Sequence, residues 1–192
     1  MALADVDAVV EIHMAGMPGY FLTSLGPRFL RLYYREVVRS RLGISLVLAR
    51  DNRVLGFATG EFGPGKFYRR LLARRGLAFG FYALTALARR PAILARMWRQ
   101  VFERVEAPAS PKVARLASMA VRTEVEGRGY GLVLIAACID EIRRRGGSAV
   151  VLEVLKDNAS LIQAYERLGF AITRQTGKRP GEARVEMRCP LA

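Results

Sequence analysis

The segment from Leu116 to Phe170 constrains the fold of this chain more than any other. It contains a strand-like apolar run at 116–121, a glycine-rich turn at 126–131, a helical pattern at 132–145 and a second apolar run at 149–154. Each of these pieces is common on its own. Their order predicts a glycine turn at the start of a helix between two strands, followed by a further helix that carries a tyrosine.

The glycine turn has the composition of an anion-binding helix start. Glycines at 127, 129 and 131 let the backbone approach an anion closely and adopt positive φ. N–H groups at a helix start lack intrahelical partners, and the helix dipole adds positive charge there. The spacing fits neither the dinucleotide fingerprint nor the P-loop. Taken alone, the turn is also compatible with an ordinary loop between a strand and a helix.

Residues 158–170 resemble the closing motif of the GCN5-related N-acetyltransferases (GNAT), in which an Asn precedes a helix that carries a Tyr and ends in Leu-Gly-Phe. The turn resembles the acetyl-CoA signature of that family, (Gln/Arg)-x-x-Gly-x-(Gly/Ala), with its glycines at Gly129 and Gly131. Glu126 departs from the first signature position. Because a carboxylate and a pyrophosphate repel each other, we expect the Glu126 side chain to point away, toward Arg128.

The resemblance covers residues 112–190 well and residues 1–63 more weakly. It implies the fold class α/β, with a mixed, mostly antiparallel twisted sheet flanked by helices. The whole chain, 1–192, is then a single N-acetyltransferase domain whose acetyl-CoA-binding core spans 112–192. Residues 63–111 form a basic helical insertion between the third and fourth strands of that fold.

The resemblance also implies acetyl-CoA as co-substrate, with no metal. In the family, the strand at 116–121 splays from the next strand, and the gap receives the pantetheine arm. One backbone N–H there polarises the thioester carbonyl. Asn158 orders the loop near the cofactor, although it is equally suited to be only a helix cap. The predicted cofactor-binding residues are Met119, Ala120, Val121, Gly127, Arg128, Gly129, Tyr130, Gly131, Leu132, Asn158 and Tyr165.

The implied reaction is direct attack of an amine on acetyl-CoA in a ternary complex, without an acetylated enzyme. Tyr165 matches the tyrosine that the family uses as general acid toward the departing thiolate. The alternative for Tyr165 is a helix tyrosine that only packs.

The general base is less well defined, because the strand at 116–121 contains no acid. Glu61 is the first candidate, since glycines flank it and strand alternation can aim it at the cleft; an exposed strand acid is the alternative. His13, the only histidine, is a weaker candidate because its position in an apolar stripe suits a core residue. Glu153 and a water chain also remain open.

The N-terminal third predicts helices and a hairpin. An apolar stripe from Val6 to His13 predicts a first helix, preceded by a strand that is very short or missing at residues 1–4. Residues 21–26 are predicted as a loop, and 27–39 as a helix with Pro at its start. Alternating residues at 45–49 and 55–62 predict a hairpin about Asp51-Asn52.

Residues 66–104 hold ten basic residues against Glu103, a net +9 of the chain's formal +14. Helical patterns at 67–75, with Phe67, Tyr68, Leu71 and Leu72 on one face, and after Pro91, in a stripe that includes Trp98, make this segment amphipathic. The uncharged run at 76–88 is too short to span a membrane, which needs ~20 residues. Three roles are open: a cap packed on the domain, contact with an anionic membrane, or binding of an anionic substrate. Nucleic acid is the least favoured partner.

The acceptor is expected to be a small-molecule amine, with an amino sugar as the first candidate and a peptide or protein amine as the second. We expect the loop at 21–26 and the segment 63–111 to line its pocket. A non-enzymatic protein that binds acetyl-CoA or docks to a membrane is the third hypothesis. The N-terminus lacks signal-peptide features and the two cysteines have no metal-ligand spacing, which predicts a cytoplasmic protein with reduced thiols, with membrane association left open. A monomer and a homodimer are both compatible with the sequence.

Overall fold

A computed structural model describes residues 1–89, 110, 112–176 and 183–191 of the chain. Its six strands form one sheet in the order β1-β2-β3-β4-β6-β5. All neighbouring strands are antiparallel except β3 and β4, which are parallel. This mixed, mostly antiparallel sheet with helices on its faces confirms the predicted fold class. The strands are β1 Gly43–Arg50, β2 Arg53–Phe62, β3 Val113–Val121, β4 Ala149–Leu155, β5 Ala171–Thr176 and β6 Arg184–Pro190.

The predicted hairpin is β1 and β2. Asp51 and Asn52 connect the strands with φ values of 50° and 59°. Short polar side chains tolerate this left-handed conformation, and a two-residue turn of this kind matches the twist of the paired strands. The turn therefore explains why the hairpin is visible in the sequence.

Residues 1–39 contain helices and no strand. A 3-10 turn at Leu3–Asp5 leads into α1 (Val6–Gly16), so the described residues before α1 form no strand, which was one of the two predicted alternatives. The predicted loop at 21–26 is wrong over most of its length, because Phe21–Ser24 form a short helix, α2. The Ser24 amide donates to the Tyr20 carbonyl at 3.2 Å, which closes a single helical turn too short for periodicity to reveal. α3 spans Pro27–Arg39, as predicted.

α4 (Pro64–Arg89) connects β2 to the segment before β3. The predicted helix at 67–75 is part of α4, and the uncharged run at 76–88 continues the same helix. Of the four residues predicted to share one helix face, Phe67, Tyr68 and Leu71 are buried, whereas Leu72 is 38% exposed. The predicted helical stripe after Pro91, including Trp98, lies outside the described residues.

The remaining helices follow the glycine turn and β4. α5 is Tyr130–Arg144 and α6 is Ala159–Glu166. They pack on one face of the sheet and form a first core with Phe62, Val150 and Met187. On the opposite face, α1, α3 and α4 form a second core around Phe57 and Tyr34. Both cysteines are buried, and Cys138 belongs to the first core, where burial raises the pKa of its thiol to about 12.

A β-bulge divides β3 into two parts. Thr59 of β2 pairs with Ser118 and Gly60 pairs with Leu116, so Ala117 is an extra residue without a cross-strand position. Before the bulge, Leu116 belongs to the first core; after it, Met119 packs against that core. The bulge thereby shifts the alternation of β3 by one residue and turns Ser118 toward the second face.

Candidate active site

The parallel strands β3 and β4 separate soon after they begin to pair. Their register covers only Val113–Arg115 with Ala149–Val151. β3 stays paired with β2 up to Val121, opposite Gly56, so the edge of 116–121 that faces β4 keeps backbone groups outside the ladder. An extended ligand can hydrogen-bond to such an edge as an added strand does. The gap has the position at which Met119, Ala120 and Val121 are predicted to meet the pantetheine arm.

The glycine turn opens directly into α5. Gly127 and Gly129 have φ of 73° and 80°, and Gly129 is the residue that caps the helix. The first helical bonds come from the amides of Leu132 and Val133, which both donate to the Gly129 carbonyl at 3.0 and 3.2 Å. The amides of Tyr130 and Gly131 therefore face the open end of the helix, where an anion is stabilised. The Glu126 side chain is exposed, and no ion pair joins it to Arg128 in the described structure.

Arg122, which lies between β3 and the glycine turn, forms hydrogen bonds with both β2 and α1. Its Nε donates to the Val54 carbonyl at 2.8 Å, and its amide donates to the Leu55 carbonyl at 2.8 Å. Its two terminal nitrogens lie 2.7 and 3.3 Å from the carboxylate oxygens of Glu11 in α1. This bidentate pair holds the entrance of the glycine turn against α1 and β2.

Tyr165 lies in α6 and is only 6% exposed. Its ring packs on Phe170, with ring centroids 5.7 Å apart. Burial raises the pKa of its hydroxyl to about 12, and the nearby Tyr20 hydroxyl acts in the same direction. Tyr20 precedes α2, and the guanidinium of Arg184 lies 5.5 Å from the centre of the Tyr20 ring. The segment before α2 thus reaches across to Tyr165 and β6.

Asn158 is the cap of α6. Its side-chain oxygen accepts hydrogen bonds from the Leu161 amide at 3.2 Å and from the Ser160 hydroxyl at 3.1 Å. Capping is the structural role that the sequence leaves open for this residue. The cap fixes the start of the helix that carries Tyr165, so Asn158 supports the site whether or not it also contacts the cofactor.

A buried polar cluster lies on the second face, beside the bulge. The Tyr34 hydroxyl is 2.6 Å from Nδ1 of His13, whose Nε2 is 3.1 Å from the Thr23 hydroxyl. Burial raises the pKa of Tyr34 well above its usual range, while hydrogen bonds with Ser118 and Thr59 act in the opposite direction. The cluster therefore links the separated part of β3 to α1 and α3.

His13 is fully buried, with both ring nitrogens in hydrogen-bond contact. Burial lowers the pKa of its imidazole from 6.5 to about 4, so the ring is neutral near pH 7. These contacts place His13 in the interior of the second core. The position corresponds to the core role that the sequence offered as its alternative to base catalysis.

Glu61 and Glu153 both lie near the point where β3 and β4 separate. Glu61 is fully buried and stands opposite Arg115 in the β2–β3 ladder, on the same face as Thr59. Glu153 forms an ion pair with Arg115, with its Oε1 3.0 Å from the guanidinium. This pair neutralises the charge of Glu153, whose side chain is 27% exposed, so the two carboxylates differ in burial.

Sequence reasoning missed Tyr34, Thr59 and Ser118. Tyr34 belongs to the apolar stripe of α3, where an aromatic residue predicts only a core position. Ser118 reaches the polar cluster because of the bulge, which no residue pattern in 116–121 indicates.

The described residues contain no group of three or more His, Cys, Asp or Glu side chains arranged to hold a metal ion. None of the described helices combines the length and apolarity that crossing a membrane requires.

Curated proteins that resemble the chain do so over short segments. A mycothiol acetyltransferase of Rhodococcus opacus is 40% identical over 60 residues, which cover 31% of this chain and 20% of that protein. A second one, from Salinispora arenicola, is 39% identical over 75 residues, 38% of this chain and 24% of that protein. The [ribosomal protein bS18]-alanine N-acetyltransferase of Escherichia coli is 40% identical over 57 residues, 30% of this chain and 38% of that protein. The matches thus span well under half of each relative.

Solved structures resemble the whole fold at low sequence identity. Ribosomal-protein-alanine N-acetyltransferase from Brucella melitensis has a TM-score of 0.65 and 18% identity, covering 100% of this chain and 97% of that one. The protein yncA of Salmonella typhimurium, solved with its cofactor acetyl-CoA, has a TM-score of 0.63 and 19% identity, covering 100% and 91%. The family model described as "Acetyltransferase (GNAT) family" matches residues 6–170 of the sequence. The chain therefore belongs to the acetyltransferase (GNAT) family.

Proposed function

We propose that this protein transfers the acetyl group of acetyl-CoA to a primary amine. One observation carries the proposal: the edge of β3 is unpaired after Arg115, and the glycine turn at the start of α5 lies beside it, with a Cβ on Gly131 falling 3.8 Å from Met119 Cε. Tyr165 belongs to the same hydrophobic core as Leu116 of β3. A protein that only packed its core would have no need to separate two central strands. Family membership supports the same chemistry.

The residues around the gap fit acetyl-CoA. Backbone amides of Tyr130 and Gly131 at the start of α5 suit the pyrophosphate, because that helix end is electropositive. The open edge at Met119, Ala120 and Val121 suits the amide-containing pantetheine arm. We include Gly127, Arg128, Gly129, Leu132 and Asn158 in the proposed cofactor site. When bound, acetyl-CoA supplies a thioester whose acetyl carbon can be attacked by a neutral amine.

Tyr165 is the proposed general acid. A hydroxyl whose pKa is about 12 stays protonated at neutral pH and can donate a proton. The amine nitrogen attacks the acetyl carbon and its surplus proton passes to the general base. The C–S bond then breaks, and the Tyr165 proton passes to the departing sulfur. Packing against Phe170 holds the ring in place, so the hydroxyl is positioned without loss of side-chain freedom during the reaction.

Glu61 is the proposed general base, and the Thr59–Tyr34–His13 cluster is proposed to orient the groups beside it. Glu61 is a carboxylate on the face of β2 that carries Thr59, which pairs with Ser118 at the start of the separated part of β3. Glu153, whose carboxylate forms an ion pair with Arg115, is the alternative base. His13 is a positioning residue in this proposal, since both of its ring nitrogens contact hydroxyl groups.

The acceptor is proposed to be a small-molecule amine, with an amino sugar as the first class to test. The formal net charge of +14 disfavours cationic acceptors such as polyamines, because like charges oppose binding. A peptide amine is the second candidate, favoured by the segment that resembles the E. coli ribosomal-protein acetyltransferase. A protein that binds acetyl-CoA without turnover is the non-enzymatic alternative. We keep both a monomer and a homodimer open, and propose a cytoplasmic location.

A matched pair of assays tests the proposal. Acetyl-CoA consumption is measured with amino sugars and with N-terminal peptides, for the wild type and for Tyr165→Phe, while isothermal titration reports acetyl-CoA binding. We expect turnover with one acceptor class, strongly reduced in the variant at unchanged cofactor affinity. Cofactor binding without turnover on any amine would favour the non-enzymatic alternative. Failure to bind acetyl-CoA would contradict the proposed cofactor site.

A further inference from the structure

A basic cleft lies between the end of α3 and the first half of α4. Its volume is about 230 Å³, and Arg39, Arg41, Arg70 and Arg74 line it together with Glu36. All four arginines are exposed at its rim. Guanidinium groups that converge on a concave site match the geometry of phosphate oxygens.

The acid in this cleft is already neutralised. The Oε1 atom of Glu36 lies 3.1 Å from Nε of Arg75 and 3.8 Å from a terminal nitrogen of Arg39, and the Glu36 side chain is 9% exposed. No ion pair joins Arg41, Arg70 or Arg74 to a carboxylate in the part of the chain that the structure describes. The cleft therefore carries a surplus of positive charge that an anion would compensate.

This cleft is separate from the proposed cofactor site. The guanidinium of Arg145, just after α5, donates to the Gly43 carbonyl at 2.7 Å and to the Arg41 carbonyl. The glycine turn lies at the other end of α5, and the 15 residues of that helix span about 22 Å. An anion in the cleft would thus lie about a helix length from the pyrophosphate site.

The outer face of α4 changes from basic to apolar along its length. Leu77 and Phe81 follow Arg70 and Arg74 at spacings that put all four on one helix face, and they are 95% and 63% exposed. A water-soluble phosphate would gain nothing from exposed leucine and phenylalanine. A phosphate at the surface of a lipid bilayer would lie beside an apolar phase that accepts these side chains.

We propose that the α3–α4 cleft binds the phosphate of an anionic lipid headgroup and that Leu77 and Phe81 enter the adjoining apolar layer. A lipid headgroup and a soluble phosphate ester present the same phosphate group to the arginines. The exposed apolar side chains of α4 favour the lipid as the source of that phosphate. Binding is peripheral and is weakened by salt, because screening reduces the attraction between the arginines and the headgroups.

Vesicle flotation of the full chain tests the proposal. We expect binding to vesicles of phosphatidylcholine with phosphatidylglycerol, and none to phosphatidylcholine alone. The double variant Arg70→Gln/Arg74→Gln should bind on the order of 30-fold more weakly, since each basic residue near an anionic surface contributes appreciably to binding. Leu77→Ser, at a solvent-exposed position, should weaken binding about tenfold without affecting folding.

Control variants remove two arginines and one exposed apolar side chain elsewhere on the surface. Arg50→Gln/Arg174→Gln changes two exposed arginines on β1 and β5, and Ile172→Asn changes a 48% exposed residue on β5. Equal losses in the control and the α4 variants would overturn the cleft as the site. Thermal stabilisation by inorganic phosphate that requires Arg70 and Arg74, without vesicle binding, would overturn the lipid assignment. Acetyl-CoA titration should be unchanged in every variant, which separates this result from the proposed function.

Discussion

The two faces of the central sheet differ in the kind of group that they contribute, backbone groups on one face and buried side chains on the other. On the α5 face, the candidate cofactor site consists of backbone groups: the open edge of β3, the left-handed glycines and the amides at the start of α5. On the face of α1 and α3, the polar cluster consists of buried side chains, namely His13, Tyr34 and Thr59. Backbone sites depend on a few glycines and on strand geometry, whereas side-chain sites depend on exact neighbours from distant parts of the chain.

The two regions also differ in the substitutions that they tolerate. Left-handed φ at Gly127 and Gly129 restricts those positions to residues that tolerate it. A hydroxyl such as that of Tyr34 can be replaced, together with its partners, by other combinations that satisfy the same hydrogen bonds.

The largest expected effect is on Tyr165. Tyr165→Phe removes the proposed acid while keeping the ring packed on Phe170, so kcat should fall on the order of 1000-fold with acetyl-CoA affinity unchanged. Stopped assays of thiol release, together with isothermal titration of acetyl-CoA, measure the two quantities. A variant with nearly full kcat would move the acid role away from the cofactor side.

The second prediction concerns stability on the side-chain face. The pKa of His13 is about 4 in the folded protein and 6.5 ordinarily, so the unfolded chain binds more protons between these values. Stability should therefore fall as the pH drops from about 6.5 toward 4, by roughly 3 kcal/mol for this buried group. Denaturant unfolding measured across this range checks the slope.

Because His13 is the only histidine, its imidazole gives a single NMR titration curve. A midpoint near 6.5 in the folded protein would show that the ring is accessible to solvent and that the polar cluster is open. His13→Gln is the matched variant. It should lose the acid-dependent slope while retaining acetyl-CoA binding, which keeps the two faces of the sheet distinguishable.

The third prediction tests Glu61 against its neighbour Glu153. Glu61→Gln should lower kcat on the order of 100-fold and remove the acidic limb of the pH–rate profile, because a neutral amide cannot accept the amine proton. Glu153→Gln, which breaks the ion pair with Arg115, should change kcat several-fold at most. The reverse order of effects would identify Glu153 as the base.

The smallest expected effect is on the glycine turn. Gly129→Ala introduces a Cβ at φ 80°, which costs about 1–2 kcal/mol and misaligns the amides at the start of α5, so acetyl-CoA affinity should fall about tenfold. Gly146→Ala is the control, because Gly146 has φ 75° at the far end of the same helix and equally open space. Equal affinity of the two variants for acetyl-CoA would contradict the backbone origin of that site.

Much of the fold could be predicted from local patterns. The turn at Asp51-Asn52, the helix beginning at Pro27 and the strand–turn–helix order around Gly129 each depend on residues close together in sequence. The short helix Phe21–Ser24 was not predictable, since one turn of helix has no periodicity. Leu72 was assigned to the wrong face of α4 because two adjacent leucines satisfy the same helical stripe until packing selects one.

In the candidate site too, residues close together in sequence could be predicted and contacts between distant residues could not. The glycines and Tyr165 were identified because the motif is contiguous or nearly so. The proximity of Tyr34 to Ser118 and the Arg122–Glu11 contact join residues 84 and 111 positions apart, and sequence patterns carry no information about such pairs. Glu61 was singled out by its flanking glycines, yet its complete burial follows from α1, α3 and α4 covering that face.

The extra residue at Ala117 has a consequence for how relatives of this protein should be aligned. Because of the bulge, Leu116 and Ser118 lie on opposite faces of the sheet, whereas two residues that are two positions apart in a regular strand lie on the same face. A comparison that pairs strands residue by residue without a gap at Ala117 would match Ser118 with positions on the wrong side of the sheet. Because the residues on both sides of the bulge keep their partners in β2, deletion of Ala117 would straighten β3 and leave Ser118 opposite Thr59.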